Sequence, residues 1–162
     1  MLIIKSRAMG KEKMAVLIEN QQIIYPISSR TLERKAQLIL NALDCPDGEL
    51  SLLIVDDLQI AEFNKKYLDR EGPTNVIAFA MREGRFSHIS PELLGDVVIS
   101  IETAAQEGKN AGISLRQRFD QLLVHGILHL FGYDHVNDPD QAAIMEKKSD
   151  FLMKIIMSAN AC

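Results

Sequence analysis

Three of the four histidines in the chain lie within the eleven residues of the segment His125–His135. His125 and His129 are four residues apart, so on an α-helix their side chains leave the same face, about 40° apart around the axis and about 6 Å along it. Glycine commonly follows the end of a helix, and Gly132 therefore predicts a turn that brings His135 back to the same point. The segment predicts a helix, a tight turn and a metal site with three nitrogen ligands.

The number of ligands indicates the kind of metal site. Structural zinc sites are closed by four protein ligands, often cysteines, whereas catalytic sites keep one position open. We therefore expect one Zn²⁺ per chain, held by His125, His129 and His135. A water bound to such a zinc has a pKa of about 7 and is the expected nucleophile, so hydrolysis is the natural reaction class. Nickel and copper accept similar ligands.

Length and composition suit one globular domain. A chain of 162 residues can bury a substantial core, and we expect a single metal-dependent hydrolase domain over residues 1–162. Residues 1–13 are rich in lysine and arginine and are expected to form a solvated, flexible tail. The net charge of −4 argues against coating nucleic acid by bulk electrostatics, but it leaves a local basic groove open.

The same composition predicts a cytoplasmic protein without membrane contact. No apolar run reaches the ~20 residues of a membrane span, and the N-terminus has no apolar stretch of the signal-peptide type. Cys45 and Cys162 form no motif, and we expect both to be free thiols in a reducing compartment.

Apolar periodicity predicts alternating strands and helices. Strands are expected at 14–18, 50–55, 75–80 and 95–101. Helices are expected at 31–43, at 57–67, from 103 to near the glycine at 112, from 115 to the glycine at 132, and at 139–157. In the helix at 57–67, the expected inward residues are Leu58, Ala61 and Phe63. The fold class is therefore α/β (α+β), with a small mixed, partly parallel sheet of about four strands flanked by helices. The first two strands could pair in either direction.

The histidine helix has its own start signal and one unusual residue. Ser114 and Gln117 form a capping box ahead of it. Gly126, in the middle of the helix, costs about 1 kcal/mol relative to alanine, so a feature other than helix propensity must favour glycine there. Asp138 and Pro139 predict the cap and first turn of the last helix.

The spacing His-x3-His-x2-Gly-x2-His resembles the zinc helix of metzincin proteases. Those enzymes carry a glutamate directly after the first histidine as general base, and here that position is Gly126. Peptide hydrolysis by the usual route therefore lacks its proton acceptor. Asp134 could assist as a base, cap the turn or orient a metal ligand, and the structural role is favoured.

A phosphodiester is a better target for such a site. A metal neutralises charge on a phosphoryl oxygen, and a cation can hold the phosphate. Arg70, in the loop before Pro73, is the first candidate for this phosphate contact, with a solvated surface charge as the alternative. Further cations lie near it in sequence: Lys65, Lys66, Arg82 and Arg85.

With these residues in view, the chain resembles the YbeY family of bacterial rRNA maturation factors. The segment His125–His135 fits the family pattern H-G-x-L-H-L-x-G-Y-D-H throughout. Residues 64–79 resemble the family's L-N-x-x-Y-R…P-T-[DN]-V-L-S-F region, and residues 95–100 resemble its G-D-I-x-I-S strand. The family places an important arginine directly after the tyrosine matched by Tyr67. This chain has Leu68 there, and Arg70 is the candidate replacement.

The resemblance implies a single-metal endoribonuclease with zinc on the three histidines, acting on single-stranded RNA. It also implies 3′-end maturation of small-subunit (16S) rRNA and ribosome quality control. The implied partners are single-stranded rRNA, the small ribosomal subunit, its proteins and assembly GTPases. Two alternatives remain: a non-catalytic ribosome-assembly adaptor with a structural metal, and a metallohydrolase of peptides or small molecules.

Overall fold

The computed structural model describes residues 15–81, 92–134 and 138–160. The expected tail at 1–13 and Cys162 lie outside these residues, whereas Cys45 carries a free thiol. The described strands are β1 (Val16–Asn20), β2 (Glu49–Val55), β3 (Val76–Ala80) and β4 (Leu93–Ser100). The described helices are α1 (Ser29–Ala42), α2 (Asp57–Leu68), α3 (Ile101–Ala111), α4 (Leu115–Leu130) and α5 (Pro139–Asn160).

The four strands form one mixed sheet in the order β1-β2-β4-β3. β1, β2 and β4 are parallel, and β3 runs antiparallel to β4 at the edge of the sheet. The predicted small, partly parallel sheet flanked by helices is thus confirmed. The sequence left open whether the first two strands pair in the parallel or the antiparallel direction. They are parallel, with Val16 opposite Leu50, and α1 lies in the connection between them.

The sheet divides the core into two layers, and β2 contributes to both. Its residues Leu50, Leu52 and Ile54 pack in the larger layer with α1, α4 and α5. Leu53 and Val55 point to the other face and pack in a smaller layer with α2. Every residue of β2 after Glu49 is buried, as expected for a strand covered on both faces.

Helix α2 is rotated relative to the sequence prediction. Leu58 is 75% exposed, so its predicted inward position is wrong. The buried residues are Ile60 and Asn64, which are four apart and share one face. Position 58 lies about 200° around the helix from position 60, so it must face solvent once Ile60 packs against the sheet. Phe63 packs at the border of the smaller layer.

The boundary between β4 and α3 also differs from the prediction. Ser100 is the last residue of the strand and the N-cap of the helix, with its side chain accepting a hydrogen bond from the Thr103 backbone N–H at 3.3 Å. Ile101 is therefore the first helical residue and not the end of a strand. At its other end β4 begins at Leu93, two residues before the predicted start of the strand at 95.

A buried ion pair joins α1 to α4. Lys35 Nζ donates to the two carboxylate oxygens of Asp120 at 2.8 and 3.0 Å, and the two side chains are only 3% and 4% exposed. Burial raises the pKa of Asp120 above its ordinary value of 3.8, while the Lys35 hydrogen bond and the charges of Lys35 and Arg116 offset part of this rise. The pair belongs to the core and lies outside the histidine cleft described below.

The longest helix, α5, begins as predicted. The Asp138 side chain accepts hydrogen bonds from the backbone N–H groups of Asp140 and Gln141, at 2.9 and 3.4 Å, and Pro139 is the first helical residue. None of the helices within the described ranges has the combination of length and apolar character that crossing a bilayer requires.

Candidate active site

The histidine helix α4 starts with the predicted capping box. Ser114 Oγ accepts from the Gln117 backbone N–H at 3.1 Å, and Gln117 Oε1 accepts from the Ser114 backbone N–H at 3.1 Å. These contacts satisfy N–H groups that the first turn leaves without partners. The helix then packs across β3 and β4 with a mostly buried inner face.

Gly126 allows α4 to approach the sheet closely. A Cβ atom at this position would lie 2.6 Å from Val97 Cγ1 and 3.2 Å from Val76 Cγ2. Both distances are shorter than ordinary carbon contacts, and the first is far too short for any side chain. Glycine is therefore favoured by packing in spite of its helix propensity. A glutamate here, as in metzincins, would have to displace the helix from the sheet.

The C-terminal end of α4 turns away at Gly132, as the sequence predicted. Gly132 has a φ of +87°, which glycine adopts readily. Its N–H bonds the carbonyl of His129 at 3.0 Å, and the N–H of Tyr133 bonds the carbonyl of Leu128 at 3.1 Å. This pair of bonds is a Schellman motif, which ends a helix and reverses the chain direction. His135 lies outside the described residues, so its return to the site stays a prediction.

The first two histidines converge on one point. His125 and His129 are half-buried on a helix whose neighbouring residues are mostly buried, and their Nε2 atoms are 2.9 Å apart. Two imidazole nitrogens this close need a proton or a cation between their lone pairs. Ligands 2.0–2.1 Å from a tetrahedral zinc are about 3.3 Å apart. The pair therefore fits two positions of a zinc site after a shift of a few tenths of an ångström.

Arg70 and the histidine pair share one cleft. The cleft has a volume of about 440 Å³ and is lined by both histidines, Arg70 and Leu68. The residues come from α4 and its turn, the end of α2, the following loop and the edge strand β3. Asp134 also lines the cleft. The loop places Arg70 in the same cleft as Leu68, which occupies the position of the family arginine.

The remaining predicted cations are located elsewhere. Lys65 and Lys66 do not line the cleft: Lys65 Nζ lies 3.6 Å from Glu71 Oε1 on the exposed surface, and Lys66 Nζ lies 5.3 Å from the ring centroid of Tyr67. Arg82 and Arg85 lie outside the described residues. Among the three basic residues described in this region, Arg70 is thus the one that the fold brings to the histidines' cleft.

Two asparagines of the cleft were not singled out from the sequence. Asn64 is 5% exposed and its Nδ2 donates to the carbonyl of Gly72 at 2.9 Å. Asn75 Nδ2 lies 3.1 Å from Glu107 Oε1, and Glu107 in turn accepts from Arg118 Nε at 2.7 Å. Asn64 lies four residues after Ile60, so both share the buried face of α2. A polar amide on a buried helix face is the sequence signal that could have indicated a structural or functional role for Asn64.

Comparison with known proteins places the chain in a family. A family model described as Endoribonuclease YbeY matches residues 17–157. The chain belongs to the YbeY family. The Endoribonuclease YbeY of Syntrophus aciditrophicus is 42% identical over 151 residues, covering 93% of this chain and 94% of that protein. The Endoribonuclease YbeY of Syntrophotalea carbinolica is 51% identical over 126 residues, covering 78% and 84%.

The family relationship confirms the resemblance found in the sequence, and a solved structure agrees with the fold. A Thermotoga maritima protein with a known solution structure superposes on this YbeY-family chain with a TM-score of 0.63. It is 19% identical, and the match covers 89% of this chain and 90% of that one. At such low identity this likeness supports the architecture and says nothing about activity.

Proposed function

We propose that this YbeY-family chain is a zinc-dependent endoribonuclease that hydrolyses single-stranded RNA. The observation that carries the proposal is the shared cleft: a converging histidine pair and a cation that can hold a phosphate meet in one opening. Family membership supports the nuclease activity. The cleft supports a metal-assisted reaction on a phosphodiester.

The histidines would hold the metal. His125 and His129 present two nitrogens to one point, and His135 is the proposed third ligand after the turn at Gly132. Bound zinc would supply a Lewis acid that stabilises negative charge on phosphoryl oxygens and activates water for attack. The protein's own part is to hold the imidazoles on a helix that its core packing fixes.

Arg70 is the proposed phosphate contact. A guanidinium presents two parallel N–H donors that match two oxygens of a phosphate group. Such an arginine would orient the scissile phosphate toward the histidines and offset the charge that develops during hydrolysis. Leu68 cannot supply this contact, and Arg70 lies in the same cleft two residues later.

The proposed biological role follows from the family. We propose that the chain takes part in the 3′-end maturation of small-subunit (16S) rRNA and in ribosome quality control. Its proposed partners are single-stranded rRNA, the small ribosomal subunit, its proteins and assembly GTPases. Peptide hydrolysis is disfavoured, because the packing of Gly126 against Val97 leaves no room for the general base of metzincins.

The test combines metal analysis with RNA cleavage. Zinc content is measured by elemental mass spectrometry in wild type, His129→Ala and the control His88→Ala, which removes the histidine outside the segment 125–135. We expect about one zinc per chain in wild type and the control, and neither zinc nor cleavage in His129→Ala. Loss of a residue that only supports a metal ligand lowers activity by at most ~100-fold. Because His129 is proposed as a ligand itself, we expect cleavage by His129→Ala to fall by more than this.

Two results would overturn the proposal in different ways. If His129→Ala cleaves RNA as fast as wild type, the histidine site is not the nuclease site. If folded wild type contains no metal and takes up none on titration with zinc, the metal mechanism fails. Binding to the small subunit without any cleavage would then favour a ribosome-assembly adaptor.

A further inference from the structure

We infer that Asn64 is a positioning residue that sets the place of Arg70 in the cleft. The inference rests on the proposed role of Arg70 as a phosphate contact. Asn64 lies in the last turns of α2, six residues before Arg70, and its buried side chain also lines the cleft. It has hydrogen-bond contacts with both ends of the loop that carries the arginine.

The backbone of Asn64 holds the start of that loop. Its carbonyl accepts hydrogen bonds from the N–H of Asp69, the C-cap of α2, and from the N–H of Arg70 at 3.2 Å. Asp69 has a φ of +52°, in the left-handed region, so the chain leaves the helix abruptly at this point. Arg70 therefore emerges in one defined direction from the end of the helix.

The side chain of Asn64 holds the end of the same loop. Its Nδ2 donates to the carbonyl of Gly72 at 2.9 Å, and Gly72 has a φ of +86°. Because Asn64 is 5% exposed, water cannot readily replace this donor if the side chain is removed. The two contacts fix residues 69–72 against the last turns of α2, a few residues before the chain enters β3 at Val76.

In the part of the chain that the structure describes, no side-chain hydrogen bond or ion pair fixes Arg70. Its position therefore depends on the backbone that carries it. Loss of the Asn64 amide would make the loop more mobile. Binding of a phosphate would then carry the additional entropic cost of ordering Arg70, and the affinity would fall.

The salt dependence of RNA binding can test this inference. Each phosphate contact adds about 0.7 to the slope of log K against log salt for a single strand. The probe is a short single-stranded RNA with phosphorothioate linkages, which keeps its charges and is hydrolysed slowly. Binding to zinc-loaded protein is measured by fluorescence anisotropy over a series of salt concentrations. The variants are Arg70→Ala, Asn64→Leu and the combination of both.

The expected results link the two residues. Arg70→Ala weakens binding by about 10-fold and lowers the slope by about 0.7. Asn64→Leu, which keeps the volume and removes the amide, weakens binding by about 3- to 10-fold and lowers the slope in the same direction. The combined variant binds no more weakly than Arg70→Ala, because Asn64 acts through Arg70.

A matched control separates positioning from general destabilisation. Ile60→Val trims the other buried residue of α2, which packs in the smaller core layer, and it lowers the free energy of unfolding modestly. We expect its RNA affinity and salt slope to equal those of wild type. Asn64→Ala is the second variant if Asn64→Leu does not fold, as judged by circular dichroism.

Each contrary result has its own meaning. If Arg70→Ala weakens binding and the folded Asn64 variant does not, or if the two effects add, the inference is wrong and the proposed function stands. If Arg70→Ala changes neither affinity nor slope, the phosphate role of Arg70 fails and the inference fails with it. Wild type that binds no RNA would overturn the proposed function itself.

Discussion

The two halves of helix α4 carry polar groups in opposite ways. Near its N-terminus, Asp120 is buried, and both of its carboxylate oxygens accept hydrogen bonds from Lys35, which is also buried in the core. Toward its C-terminus, His125 and His129 are half-buried, and their nitrogens converge beside an open cleft. One helix thus holds a structural ion pair and a candidate metal site, about a turn and a half apart.

The difference shows that the degree of burial decides whether a polar group of α4 contributes to stability or to the chemistry of the cleft. A buried charge with its partner in place takes part in no chemistry, and its energetic cost rises sharply when the partner is lost. A half-buried pair of nitrogens with a route to solvent can exchange ligands. Substitutions in the first half should therefore change the free energy of unfolding, whereas those in the second half should change metal content and RNA cleavage.

The largest expected stability effect is at the ion pair. Asp120→Ala leaves the Lys35 ammonium buried and unpaired, and we expect a loss of about 3–5 kcal/mol in the free energy of unfolding, measured with urea. The double variant Lys35→Met with Asp120→Leu should equal wild type or exceed it by up to ~4 kcal/mol, with normal zinc content. A loss below ~1 kcal/mol in Asp120→Ala would show that the Lys35 ammonium is not left as a costly unpaired charge in the core.

A smaller effect is expected at Gly126, between the two halves. Gly126→Ala gains about 1 kcal/mol in helix propensity but pushes its methyl group into Val97, and overpacking of this kind costs about 1–3 kcal/mol. The expected net loss is up to ~2 kcal/mol by thermal or urea unfolding. In Val97→Ala, where that methyl group has room, the same Gly126→Ala change should be neutral or stabilising. Equal losses in both backgrounds would contradict the packing explanation.

The smallest expected effect is the pH dependence of the ion pair. Burial raises the pKa of Asp120 in the folded state above its ordinary value of 3.8, so the folded protein binds this proton more tightly than the unfolded chain does. The contribution of Asp120 to stability is therefore greatest below about 3.8 and falls as the pH rises through the raised pKa. Relative to the double variant Lys35→Met with Asp120→Leu, wild type should lose stability over this range in urea titrations. The opposite slope would show that Lys35 dominates and lowers the pKa.

Local sequence patterns predicted much of the fold and the first half of the site. The capping box at Ser114, the stop at Gly132 and the four-residue spacing of His125 and His129 are all confirmed in α4. These features act within one or two turns of the chain, so the residues involved are neighbours in any fold that contains the helix. The mixed, partly parallel sheet was predictable for a similar reason, because strands alternate with helices along the chain.

Contacts between distant parts of the chain could not be predicted in this way. The Lys35–Asp120 pair spans 85 positions, and the reason for Gly126 lies in Val97 on another element. Leu58 faces solvent because Ile60 and Asn64 are the residues of α2 that meet the sheet. Arg70 joins the histidines through the position of a loop that Asn64 holds.

These features share one physical cause. Periodicity and caps depend on backbone hydrogen bonds between near neighbours, which a linear pattern encodes directly. Which face of a helix is covered, how closely it packs and which loops share a cleft depend on how whole elements fill space together. The residue types of this YbeY-family chain therefore indicate the chemistry of the site, and the packing of α2 and α4 on the two faces of one sheet brings its parts into a single cleft.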